Sequence, residues 1–197
     1  MNEASRPKPD VLFTEQEIAR RVSDIAREVA AGFSGTELCV VGLMKSCLVF
    51  MADLIRQVPL EMTCHFLRSS SLRDAGAART DIVYSAEIPY EDRDILLLDA
   101  VLDTGITLNF LLDNIRERRP RSLKVCVLID KPGERKVEVR PDWTAFTLQE
   151  AATDGRFLVG YGLDHAEYYR GLPYIGTIPR PASLLEGRPS GVSSARR

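Results

Sequence analysis

Histidine is almost missing from this chain: two residues in 197, His65 and His165, far apart. The four cysteines, at 39, 47, 64 and 126, form no C-x-x-C pair. That spacing excludes the usual zinc frameworks, and three of the four cysteines sit in apolar runs, as reduced core thiols of a cytoplasmic protein do. No run approaches the ~20 apolar residues that cross a bilayer. Residues Met1 to Asp10 are polar and hold no apolar signal-peptide core, so neither a membrane span nor a leader is expected. Net charge is close to absent as well: 26 Lys+Arg against 28 Asp+Glu give −2. A protein whose main work is gripping a nucleic-acid backbone carries a strong basic excess, so a nucleic-acid partner is not expected. Lysine is scarce, five against 21 arginines, which makes each lysine worth inspecting.

What is present is an ordinary globular composition, 45% hydrophobic and 27% charged, in a length that suits one α/β domain. Thr14-Glu15-Gln16-Glu17 has the form of a capping box. Behind it Ile18, Val22, Ile25, Ala26 and Val29 recur at helical spacing, and Gly32 closes the helix. Leu38–Val41, Met62–Leu67, Asp94–Asp99 and Leu123–Ile129 are short apolar runs of the kind that form strands buried on both faces. Helical patterns from Cys47 to Arg56 and from Leu108 to Ile115 stand between them. The alternation predicts a mostly parallel sheet flanked by helices. Trp143–Leu148 and Phe157–Gly160 read as two further short strands. Residues 68–81 are small and polar and read as a long mobile loop, the sort that closes over a site. The chain from about 179 to 197 reads as a disordered tail, leaving 1–178 as the single domain. No internal repeat is visible.

The stretch Leu97-Leu98-Asp99-Ala100-Val101-Leu102-Asp103-Thr104-Gly105-Ile106-Thr107 carries the chemistry. A buried strand delivers an acid at its carboxyl end, where open α/β sheets bind their ligands. A loop then opens a helix whose first N–H groups and dipole suit a phosphate. Gly105 admits an anion close to the backbone, and Thr104 and Thr107 offer hydroxyls. The same Asp-Thr-Gly also suits a plain turn and N-cap. The strand, the two acids four residues apart and the helix in register favour the anion site.

Residues 97–107 resemble the phosphoribosyl-pyrophosphate signature of the type I phosphoribosyltransferases. Val41-Gly42-Leu43-Met44-Lys45-Ser46 with Phe50-Met51-Ala52-Asp53 resembles the pyrophosphate loop of the hypoxanthine-guanine branch. Asp130-Lys131-Pro132 with Arg135-Lys136-Val137 resembles its purine-lysine segment. Phe157-Leu158-Val159-Gly160-Tyr161-Gly162-Leu163-Asp164, Tyr169-Arg170 and Leu172–Gly176 resemble its base-binding segment. The resemblance covers about residues 11–178. It implies the type I fold with a small hood for the base, a magnesium cofactor, and transfer of a phosphoribosyl group to hypoxanthine or guanine, giving IMP or GMP. It also implies a homodimer or homotetramer.

By this resemblance Asp103 is the general base near the purine N7. Lys131 bonds the six-oxo group, Phe157 stacks on the base and the Leu158 carbonyl meets its edge. Met44, Lys45, Ser46, Cys47 and Arg170 hold the pyrophosphate. Asp99, Asp103, Thr104, Gly105, Ile106, Thr107 and the loop residue Ser71 complete the phosphoribosyl-pyrophosphate site, and Asp99 and Asp164 help to hold magnesium. The residues taken alone also allow blander roles: a turn lysine at 131, a core ring at Phe157, a turn cap at Asp164. His165 reads as a surface residue.

Four positions depart from the family pattern. Ala100 stands where a second acid would hold the ribose hydroxyls, a loss of roughly ten- to a hundred-fold in affinity. Leu72 stands where the loop would carry a tyrosine, and Ser46 where the pyrophosphate loop, whose peptide is often cis, would carry glycine. Gln149 to Gly155 forms an insertion of about five residues. Three functions fit this pattern: an active purine phosphoribosyltransferase; a catalytically weakened paralogue that binds a purine nucleotide as sensor or partner subunit; and a related enzyme for another base or a pyrimidine-type RNA-binding regulator.

Overall fold

A computed structural model describes residues 6–33, 37–74, 77–84, 88–149 and 155–180, with backbone alone for 69–74 and 77–84. The elements run β1 (Asp10–Phe13), α1 (Glu15–Gly32), β2 (Leu38–Leu43), α2 (Leu48–Ile55), β3 (Met62–Asp74), β4 (Ala77–Tyr84) and β5 (Asp94–Leu102). They continue with α3 (Ile106–Arg116), β6 (Ser122–Asp130), a 3-10 turn at Pro132–Glu134, β7 (Trp143–Thr147), β8 (Phe157–Val159) and β9 (Ile175–Ile178). The expected tail from 181 onward lies outside the described residues.

The main sheet has six strands in the order β4-β3-β2-β5-β6-β7. All neighbours are parallel except the β3–β4 pair. Alternate residues of the central strands feed two cores. Val40, Leu96 and Leu98 pack on the face covered by α1 and α2; Cys39, Val41, Ile95 and Leu97 pack on the face covered by α3. Both faces are covered, which is why these strands read as continuous apolar runs. The capping box is formed as expected: the Thr14 N–H donates to Glu17 Oε2 at 2.8 Å, and the Glu17 N–H donates to Thr14 Oγ1 at 3.3 Å.

A second, three-stranded antiparallel sheet of β1, β9 and β8 forms the hood. It joins the start of the chain to residues 157–178, and Phe13 stacks on Phe146 at 4.0 Å between ring centroids. β1, β4 and β9 have no counterpart among the sequence-predicted strands. β1 and β9 are four residues each, too short for a periodicity signal, and they gain their hydrogen bonds from distant segments.

The stretch 68–81, expected as a mobile loop, has strand backbone at its described positions. Its backbone continues β3 and returns as β4, with Ser71 paired to Thr80 and Leu72 to Arg79. Polar, small residues form strands when a neighbour supplies the hydrogen-bond ladder, because strand preference depends on context more than on composition. The side chains of Ser71 and Leu72 lie outside the described residues, as do positions 150–154 of the expected insertion.

Candidate functional site

The main sheet presents the carboxyl ends of its parallel strands to the hood, and a cleft of about 520 Å³ lies between them. Its lining includes Ser46, Asp103, Lys131, Phe157, Leu158 and Asp164. These come from four separate segments of chain, and all six are sequence-predicted site residues.

Asp103 follows β5 directly, and Lys131 follows β6, the strand paired beside it. The two strand ends therefore bring their side chains together: Lys131 Nζ lies 3.8 Å from Asp103 Oδ2. The lysine is largely buried, at 18% exposure, whereas Asp103 is half exposed. Backbone contacts lock the two loops to each other. The Lys131 N–H donates to the Leu102 carbonyl at 2.9 Å, and the N–H groups of Lys136 and Val137 donate to the Thr104 carbonyl at 2.9 and 3.1 Å.

Two side chains here were not among the expected site residues. Glu134 lines the cleft, and its carboxylate lies 3.8 Å from Lys131 Nζ. Arg135 donates to the Asp103 carbonyl at 2.5 Å and pairs with Asp130. The i, i+3 spacing of Lys131 and Glu134 over a turn was the available signal for the first.

Thr104, Gly105, Ile106 and Thr107 make the turn into α3. Gly105 adopts the left-handed conformation, φ 81°, as N-cap. A Cβ there would stand 2.7 Å from the Val137 carbonyl oxygen, so both conformation and space require glycine. Ile106 N–H reaches Thr104 Oγ1 at 3.4 Å, and Ile106 itself is exposed. The first N–H groups of α3 have no carbonyl one turn back to bond.

The expected pyrophosphate loop, Met44 to Cys47, joins β2 to α2, with a cis peptide between Met44 and Lys45. Met44 N–H is tied to the Leu67 carbonyl at 2.7 Å. Cys47 is fully buried. Burial pushes its thiol up to about 12, with the nearby negative Asp99 adding to the effect, so it stays a thiol.

Asp99 lies within β5. It is 8% exposed and is not among the cleft-lining residues; its Oδ1 accepts from the Ala100 N–H at 2.7 Å. Burial pushes this carboxyl up to about 6, against the backbone N–H groups of Ala100 and Val101, which pull it down. Ala100 is fully buried within the core under α1 and α2.

Residues 160–170 form a tight hood turn. Asp164 reaches the cleft, accepts from the Glu167 N–H at 2.8 Å and pairs with Arg170 Nη2 at 2.8 Å. Arg170 Nη1 also holds the Gly162 carbonyl at 2.8 Å. Glu167 bridges Lys45 and Arg170, and these two cations hold its carboxyl below the usual range. His165, read as a surface residue, is half-buried with its ring edge-on to Phe157 at 5.6 Å between centroids. No sequence signal pointed to either contact.

Among the described residues, no group of three or more His, Cys, Asp or Glu side chains gathers as a metal cluster. A magnesium ion held chiefly by substrate phosphates needs one or two protein carboxylates. Asp164, partly exposed in the cleft, fits that requirement; Asp99 does not line it. No helix among the described residues is long and apolar enough to cross a membrane.

The phosphoribosyl transferase domain family matches residues 10–166. The chain is 36% identical over 174 residues to the hypoxanthine-guanine phosphoribosyltransferase of Bacillus subtilis, covering 87% of this chain and 93% of that protein. It is 32% identical over 173 residues to the hypoxanthine phosphoribosyltransferase of Salmonella typhimurium, covering 86% and 94%. Among solved structures, a hypoxanthine-guanine phosphoribosyltransferase from Bacillus anthracis superposes with a TM-score of 0.78 at 31% identity, over 87% of this chain and 98% of that one. The hypoxanthine phosphoribosyltransferase of Trypanosoma cruzi, in complex with the product IMP, gives 0.77 at 27% identity, over 87% and 97%.

Proposed function

The chain belongs to the phosphoribosyl transferase family, in its hypoxanthine-guanine branch, and we propose that it transfers the phosphoribosyl group of phosphoribosyl pyrophosphate to hypoxanthine or guanine, giving IMP or GMP and pyrophosphate. One observation carries the base choice: a half-buried lysine ammonium 3.8 Å from a carboxylate, at one wall of a cleft. A six-oxo purine shows O6 and N7 side by side on one edge. Lys131 donates to O6 while Asp103 accepts the proton leaving N7. Adenine carries an amino donor at position 6, which would face the ammonium donor, so the site rejects it.

In the step itself, purine N9 forms a bond to ribose C1 as the C1–oxygen bond breaks. Pyrophosphate leaves with the bonding pair, and the N7 proton passes to Asp103. Positive charge builds on the ribose, so positioning and electrostatics supply most of the rate. Phe157 covers the face of the base and the Leu158 carbonyl meets its edge. The Thr104–Thr107 turn, with the N-terminal end of α3, receives the 5-phosphate. Met44 to Cys47 and Arg170 receive the pyrophosphate, and Ser71 belongs to the β3–β4 strand pair. Asp164 would hold magnesium, which when bound supplies neutralisation of the leaving pyrophosphate. In this reading the working form is a cytoplasmic homodimer or homotetramer.

A second reading, a paralogue that binds a purine nucleotide and turns over poorly, draws on the buried Ala100 and on Asp99 turned into its own backbone. One assay separates the two: hypoxanthine, guanine, xanthine and adenine, each with phosphoribosyl pyrophosphate and magnesium, followed for nucleotide formation. Turnover of six-oxo purines and not adenine is the expected result. IMP binding with no turnover of any base would establish the second reading.

A further inference from the structure

Glu167 has no part in the step just described, yet it engages two of its cations. Its Oε1 accepts from Lys45 Nζ at 2.8 Å and its Oε2 from Arg170 Nη2 at 3.2 Å. The backbone turns to place it there: Ala166 and Glu167 are both left-handed, φ 52° and 68°, and the Glu167 N–H is held by Asp164. The carboxylate thus spans from the 160–170 turn to the loop between β2 and α2. Both partners of the Lys45 pair face solvent, at 48% and 63% exposure, so a ligand can reach them.

We propose that Glu167 is a tethered internal competitor for pyrophosphate, occupying Lys45 and Arg170 until the ligand displaces it. The proposal rests on the reading of those two residues as pyrophosphate contacts. A polyanion arriving at this site meets two positive groups that already hold a carboxylate. Binding therefore costs the broken pairs, and release is assisted when the carboxylate returns. An anion four atoms from its own backbone needs no diffusion to return, so its effective concentration is high. Exposed ion pairs are individually weak, so the expected effect is modest: about 3- to 10-fold in pyrophosphate affinity.

The test is titration calorimetry of inorganic pyrophosphate with magnesium, on wild type, Glu167→Gln, Lys45→Met, Arg170→Gln and the Glu167→Gln/Lys45→Met pair. Glu167→Gln is expected to tighten pyrophosphate, to deepen product inhibition by it, and to leave the KM for hypoxanthine unchanged. The gain should shrink in the Lys45→Met background and with added salt, and Glu167→Asp should return affinity toward wild type. Weaker or unchanged binding in Glu167→Gln, with a normal melting temperature, overturns the proposal and assigns Glu167 to ordering Arg170. If Lys45→Met and Arg170→Gln both leave pyrophosphate affinity unchanged, the pyrophosphate assignment itself fails, and the proposal falls with it.

Discussion

A Cβ on Gly162 would stand 2.3 Å from the Ser46 carbonyl oxygen. The hood turn and the loop between β2 and α2 therefore touch backbone to backbone, and the contact sets how far the Asp164–Arg170 segment stands from Ser46. Gly162 also has φ 95°, where a side chain is strained. Gly162→Ala is expected to cost at least about 1–3 kcal/mol, from conformational strain before the clash is relieved. It should also raise the KM for phosphoribosyl pyrophosphate, because Ser46 must move. Urea unfolding together with steady-state kinetics checks both; a variant with wild-type values in each would remove the contact from the account.

Asp103→Asn is expected to lower kcat by about 10²- to 10⁴-fold, since in the proposed step the carboxylate accepts the N7 proton. The side chain is half exposed, and the contacts that fix its loop are made by backbone atoms. The melting temperature should therefore stay within a degree or two of wild type. A thermal melt alongside the kinetics separates a lost base from a lost fold.

Lys131→Ala removes the proposed donor to the six-oxo group and leaves Asp103 and Glu134 without their shared cation. Affinity for hypoxanthine should fall by about 10- to 100-fold, with a much smaller change for phosphoribosyl pyrophosphate. Equal losses for the two substrates would assign Lys131 to the phosphates or to the fold.

The buried carboxyl of Asp99 gives a pH signature. Its folded value of about 6 lies above the ordinary 3.8. The fold therefore favours the protonated acid. The stability it contributes is fully present below the unfolded value and is lost as pH rises through 3.8 to about 6. At ~1.4 kcal/mol per unit, the loss is about 3 kcal/mol by neutral pH. Asp99→Asn keeps an acceptor for the Ala100 N–H and cannot ionise. It should melt higher than wild type near pH 8 and almost together with it below about pH 4, in chelator-containing buffer. The same difference at both values would mean that burial does not disfavour the charge.

Much of this was legible in the chain. The capping box at Thr14, the helical repeat from Ile18 to Val29 and the apolar runs of β2, β5 and β6 are local signals, since each depends on residues within one or two turns. The Asp103–Thr107 turn was legible because strand, acid, glycine and helix lie in one continuous stretch. Helix α3 begins at Ile106, two residues before the apolar periodicity does, because the glycine cap and not the apolar face marks its start.

The β3–β4 pairing and the β1–β9 edge of the hood were not legible in this way. β3 and β4 are held there by mutual pairing, and β1 finds β9 from the far end of the chain. The identity of most elements and the family they belong to were set by short-range pattern and motif. The placement of Lys131 against Asp103, the withdrawal of Asp99 into its own backbone and the bridge from Glu167 to Lys45 across 122 positions were not. Each depends on which strand lies beside which and on how the hood closes. Those are set by the burial of whole sheet faces, and for the Lys131–Asp103 and Glu167–Lys45 pairs no short window of sequence contains both partners.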